Sequence, residues 1–163
     1  MINQKPFQIS LVLLRLLLAA WIGAAVLYVI TSVAEQTSSH FDSLIRDELA
    51  TIRFPLYYCF GIGIHAAGAV FAFVVWVKSA LENRRRFLIV FLLVLLSSVL
   101  ITLDYFLVYL PLQELITPSG QVRSQKFMQL HTLSRQANEV HLTVMLVAAI
   151  VAALPLQATE SQQ

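Results

Sequence analysis

Four long apolar runs, at about residues 9–32, 54–77, 87–112 and 131–154, leave this chain few folds to choose from. Crossing roughly 30 Å of hydrocarbon takes about 20 helical residues, and each run reaches that length. The runs are continuous and rich in Leu and Ala, without the alternating segments of about 10 residues that a membrane barrel needs. The expected fold is all-α: a polytopic membrane protein whose four transmembrane helices form a bundle in a single domain. Apolar residues make up 58% of the chain and charged ones 12%, which is too little polar surface to cover a water-soluble domain. That balance excludes a nucleic-acid binder and a disordered chain. The lone cysteine, Cys59, excludes a disulfide-stapled one. Leu11 to Ile30 far exceeds a signal-peptide core of roughly 7 to 15 residues, so the first run is expected to be retained as a span.

Lys and Arg in short loops set the orientation. Lys78, Arg84, Arg85 and Arg86 crowd the loop between the second and third spans, with Glu82 as its acid. This loop is expected to be cytoplasmic, which puts both termini inside and the protein in the cell (cytoplasmic or inner) membrane. In the first loop, Phe41, Leu44, Ile45, Leu49 and Ile52 recur at helical spacing, and Ser39 followed by Asp42 fits a capping box. An amphipathic interfacial helix at about residues 40–53, lying on the outer surface, is the expectation. Thr117-Pro118-Ser119-Gly120 marks a turn in the other outer connection, and Pro55, Pro111 and Pro155 stand at span ends.

Spans associate through close packing and buried polar contacts, because lipid tails are as apolar as Leu. Small residues should therefore mark inward faces: Ala19 with Gly23 and Ala20 with Ala24 in the first span, Gly61, Gly68 and Ala72 in the second, and Ala148, Ala149 and Ala152 in the fourth. His65 shares the stripe of the second span. In the fourth span His131, Ser134, Arg135, Asn138 and His141 occupy one sector of about 120°. Asp104 and Ser97 lie on the third. Polar groups at this depth belong against protein or a wet cavity. Arg15 is the exception, close enough to the cytoplasmic headgroups to snorkel there.

Phe127-x-x-Leu130-His131-x-x-Ser134-x-x-x-Asn138 resembles the signature of the small four-helix membrane proteins of unknown function related to transmembrane protein 205. Ala20-Trp21-Ile22-Gly23 and the aromatic entrance Phe54, Tyr57 and Tyr58 agree with it, and Asp104 stands where the family pattern carries Asn. The resemblance implies a four-helix membrane fold and no established reaction.

Three readings of the polar cluster follow. The first is a structural or accessory membrane component in which Asp104 pairs with Arg135, while His131, Ser134 and Asn138 satisfy backbone carbonyls or one another. The second is a site in the outer half of the bundle, built from Asp104, His131, Ser134, Arg135, Asn138 and His141, that binds or transports a small solute, an ion or a proton. The third is a b-type haem held by His65 and His141, which lie at similar depth on separate helices. The first two readings need no cofactor. No metal site is expected, since His131 and His141 stand about 15 Å apart along one helix. Ser134 has His131 and Asn138 nearby but no sign of an oxyanion hole, so no catalysis is expected. The partner is the lipid bilayer, within a homo-oligomer or a larger membrane complex, and not nucleic acid.

Overall fold

The computed structural model describes residues 5–156. Five α-helices follow one another: α1 (Lys5–Thr37), α2 (Ser43–Lys78), α3 (Leu81–Asp104), α4 (Leu110–Glu114) and α5 (Gln125–Ala153). A π-helical turn, Tyr105–Tyr109, joins α3 to α4. Four stretches, Lys5–Thr37, Ser43–Lys78, Leu81–Glu114 and Gln125–Ala153, are long and apolar enough to cross a membrane. The chain is a multi-pass, all-helical membrane protein. Short connections make neighbours antiparallel. The helices form a ring in the order α1, α2, α3, α5, and the seam between α5 and α1 is the thinnest. One end of the bundle carries residues 38–42 and 115–124 and is called the loop end. The other carries the 79–80 connection and is called the terminal end.

The interfacial helix is not a separate element. Its residues are the first turns of α2, a helix of 36 residues that at 1.5 Å per residue is about 54 Å long and far outreaches the hydrocarbon. Asp42, and not Ser39, is the N-cap, its Oδ1 accepting the Ile45 N–H at 2.9 Å. Pro55 lies inside the helix. Its missing donor costs one backbone bond, and side-chain contacts on both sides hold the rod together. Asp47, 1% exposed, pairs with Arg123 and accepts the Gly120 N–H at 2.9 Å. Arg53 pairs with Glu35 on α1 and donates to Thr31 Oγ1 at 3.0 Å and Ser32 Oγ at 3.1 Å. Gly120 turns the chain with φ of 83°, a backbone state that favours glycine. Leu44, Ile45 and Ile52 stay exposed along this extension.

The fourth span also begins early, at Gln125, capped by Ser124 Oγ accepting the Phe127 N–H at 3.1 Å. Pro111, near the start of α4, interrupts the third span in another way: it denies the helix a donor, and the widened turn Tyr105–Tyr109 lies just before it.

The core is built from one stripe per helix. Leu11, Leu14, Leu18, Trp21 and Ala25 are buried on α1, and Gly61, Ile64, His65, Gly68, Ala72 and Val75 on α2. Phe87, Val90, Val94, Ser97, Ile101 and Asp104 are buried on α3, and His141, Met145, Ala148 and Ala152 on α5. The small-residue expectation is met on α2 and largely on α5, where Ala149 is half-buried, but not on α1, where Ala19, Ala20 and Gly23 are exposed and Ala24 half-buried. The reason is steric. Trp21 is the inward group of α1, and the space it needs comes from Gly61 opposite, where an added Cβ would lie 2.6 Å from Trp21 Cη2.

Arg15 is tied to the end of α5. Its Nε donates to the Ala152 carbonyl at 2.8 Å and its Nη2 to that of Leu154 at 3.4 Å. Arg86 Nη1 donates to Leu154 at 3.3 Å and Pro155 at 2.6 Å. Two guanidiniums thus satisfy carbonyls that the last turn of α5 leaves without helical donors. Both cations also face the negative end of the helix dipole.

Candidate functional site

Most polar side chains of the interior fall into two groups along the bundle. The deeper group is closed. His65 Nδ1 lies 2.8 Å from the Gly61 carbonyl, so that nitrogen carries the proton, and Nε2 accepts the Ser97 hydroxyl at 2.9 Å. Ser97 Oγ also lies 3.2 Å from the His141 carbonyl, a second acceptor for its one proton, at the point where α2, α3 and α5 meet. His141 Nε2 is 3.0 Å from Asn138 Oδ1, which accepts the Tyr57 hydroxyl at 2.7 Å as well. Since an amide oxygen only accepts, the His141 proton is on Nε2, and its buried Nδ1 is left without a partner among the described residues.

The His65 and His141 rings stand 6.1 Å apart, centre to centre, with Trp21 at 5.1 and 5.9 Å from them. A haem between the two would have to take His65 Nε2 from Ser97 and displace the fully buried Trp21, which packs against both rings. The residues as arranged do not fit that group. Among the described residues, no three His, Cys, Asp or Glu side chains gather as a metal-holding group.

The second group lies toward the loop end. Asp104, 3% exposed, accepts the Tyr58 hydroxyl at 2.6 Å and the Ser134 hydroxyl at 3.5 Å, both on Oδ2. Its Oδ1 has no partner among the described residues. The expected Asp104–Arg135 pair does not form. One residue is about 100° of helix, so with Ser134 turned to Asp104, Arg135 is carried round to the exposed side. There it meets Glu139 on its own helix at 3.9 Å, the two side chains being 67% and 68% exposed. His131 is exposed as well and stacks on Phe127 at 5.7 Å.

These residues border a half-open cleft of about 610 Å³ at the loop end, lined from α1, α2, α4 and α5. Ser134, Asn138, Tyr57 and Tyr58 form its deep end, and Arg135 and His131 lie on the α5 wall. Asp104 is set behind Tyr58 and is not part of the lining. A continuous aromatic wall runs along one side. Tyr28 stacks on Tyr57 at 4.4 Å, Tyr58 meets Tyr109 at 4.8 Å, and Phe54 meets Tyr109 at 5.6 Å. Val29, Val33, Leu49 and Met128 complete an apolar surface, and Arg53 and Arg123 sit at its edges over the Tyr28 and Phe127 rings at 5.0 and 4.4 Å.

Of the six candidate cluster residues, the structure brings Asp104, Ser134, Asn138 and His141 into buried or half-buried contacts and leaves His131 and Arg135 on the open wall. The sequence reading missed Tyr28, Tyr109, Arg53 and Arg123 as lining groups. An Arg followed four residues on by an aromatic, as in Arg123 and Phe127, is the signal that was there to use. Fold and site together define a multi-pass helical membrane protein with an amphipathic cleft open at one end. Compared with family models, curated proteins and solved structures, the chain matches none.

Proposed function

We propose that this protein is a membrane-embedded binding protein that holds one small amphipathic molecule in the loop-end cleft and performs no chemistry on it. The observation that carries this reading is the cleft itself: about 610 Å³, within the range of about 300 to 1,000 Å³ usual for ligand pockets, with a largely apolar surface, polar groups at its deep end and charged ones on its walls and edges. The purely structural reading loses its central contact, because Asp104 and Arg135 do not meet. It keeps the deeper group, where His65, Ser97 and His141 link α2, α3 and α5 and leave His141 Nδ1 over.

Passage of a solute across the bundle is less well supported than holding one. Between Trp21 and the terminal end the buried side chains are mainly apolar, among them Leu14, Leu18, Val75, Val90, Val94 and Met145, and the buried polar ones, Ser10 and Asn83, lie near that end, so no continuous polar path for an ion or proton runs through the middle of the bundle. The proposal further places the loop end on the outer face, from the basic 78–86 segment. It keeps the resemblance to the transmembrane protein 205-related family, supported by the Phe127 to Asn138 pattern, of which Phe127, His131, Ser134 and Asn138 line the cleft.

Native mass spectrometry of the full chain in mild detergent tests the reading. Wild type is expected to carry a bound small molecule that the cleft-filling double variant Val33→Phe, Ala50→Phe loses. Adduct-free spectra for both proteins, before and after incubation with single-chain amphiphiles, would overturn it.

A further inference from the structure

We infer that the ligand of this cleft is an acidic single-chain amphiphile, with its carboxylate or phosphate monoester head on the Arg135 guanidinium and its chain along the tyrosine wall. The inference rests on the binding reading above and adds the chemical class.

Charge selects the head. Three guanidiniums line the cleft, with Glu35 as the acid beside them. Arg53 is occupied by Glu35, Thr31 and Ser32, and Arg123 by the buried Asp47. Arg135 has only Glu139, at 3.9 Å, with both side chains about two-thirds exposed (67% and 68%), a contact that holds it loosely. An Arg within a membrane span needs an anion or water, and its planar fork suits a carboxylate or phosphate in two-point contact. A cationic head would meet three guanidiniums at the wall, and the carboxylate that could welcome it, Asp104, lies behind Tyr58 and outside the lining.

Volume selects the tail. The cleft, at about 610 Å³, lies in the middle of the range of about 300 to 1,000 Å³ usual for a pocket that takes one small molecule. That suits one chain with its head better than the bulk of a two-chain lipid. Val29, Val33, Leu49, Phe54 and Met128 give the chain apolar contact, and the seam between α5 and α1, the thinnest in the bundle, is the side from which a chain can enter from lipid.

The test uses the full chain in nanodiscs of zwitterionic lipid, with empty discs as the partition control. Radiolabelled hexadecanoate, its methyl ester and the trimethylammonium compound of the same chain are titrated in a scintillation proximity assay. Hexadecanoate is expected to bind saturably, to be displaced by hexadecyl phosphate, and to bind at least tenfold more tightly than the ester or the ammonium compound. Arg135→Gln, on an exposed side chain, should weaken the acid about tenfold and leave the ester unchanged, and Arg135→Lys should restore part of the loss. Acid and ester binding alike, both abolished by Val33→Phe with Ala50→Phe, would overturn the acidic head while sustaining the cleft. Saturable binding of none of the three would remove the binding reading as well. Loss of hexadecanoate binding when the disc contains an anionic two-chain lipid would assign the head to that lipid and overturn the single-chain assignment.

Discussion

Gly61 carries one of the tightest steric constraints in the bundle. A Cβ there would stand 2.6 Å from Trp21 Cη2 and 2.7 Å from Ile101 Cδ1, and both partners are fully buried, so neither can swing away. Gly61→Ala is expected to lower stability by about 1 to 3 kcal/mol, the usual cost of overpacking, read from unfolding in mixed detergent micelles. Adding Trp21→Phe removes the clashing ring and should recover part of the loss. A double variant no better than the sum of its parts would show that the two residues are not in contact. Asp104 gives a second residue-level prediction. Its partners are Tyr58 and Ser134, so a double-mutant cycle with Tyr58→Phe should show coupling of about 0.5 to 3 kcal/mol, while the cycle with Arg135→Ala should show none. Coupling to Arg135 of the same size as to Tyr58 would contradict the geometry.

At the scale of the element, α5 is fixed at its terminal end by side chains of two other helices. Arg15 and Arg86 donate to the carbonyls of Ala152, Leu154 and Pro155, and a cation at a helix C-terminus contributes about 0.3 to 1 kcal/mol, more when partly buried. Arg15→Ala should therefore raise amide exchange in the last turn of α5 severalfold while leaving exchange at its Ser124 cap unchanged. Uniform exchange along α5 in the variant and wild type would remove the clamp. The same arginine shows how far the sequence could be read. Four helices were legible, because hydrocarbon requires long apolar runs and leaves no other way to satisfy the backbone. Their ends were not. Residues 43–53 and 125–130 are polar enough to look like loop or surface helix, and what extends α2 and α5 through them is tertiary: Asp47 on Gly120 and Arg123, and Arg53 on Glu35. The polar sector of α5 was legible as a face. Its division into a buried edge at Ser134 and Asn138 and an open edge at Arg135 and His131 depends on rotation within about 100°, and the partners that set the rotation, Tyr57 and Tyr58, lie some 80 residues away in sequence (|i−j| of 76 to 81). The outward-facing small residues of α1 mislead for a related reason: one glycine, on the opposite helix, was enough to admit Trp21.

For the whole molecule, orientation in the bilayer decides which compartment the cleft serves. The loop end and the terminal end both carry basic residues, but in different states. At the loop end Arg53 and Arg123 are held in ion pairs with Glu35 and Asp47, and Arg46 donates to the Ser38 carbonyl at 2.8 Å. At the terminal end Arg84 and Arg85 are exposed on the first turn of α3, within the same short segment as Lys78. Orientation follows the density of Lys and Arg in short loops near span ends, and the 78–86 segment concentrates them most. A fluorescent-protein fusion after Gln163 is therefore expected to fluoresce in the cytoplasm, and an alkaline phosphatase inserted near Gln121 to be active outside. Neutralising Lys78, Arg84 and Arg85 while leaving Arg86 on its carbonyls should weaken that preference and produce a mixed population. A silent C-terminal fusion together with inactive phosphatase at Gln121 would mean misfolding of the fusions, whereas an active C-terminal phosphatase with fluorescence near Gln121 would invert the molecule. In that case the cleft would open to the cytoplasm, and its amphiphile would come from the inner leaflet.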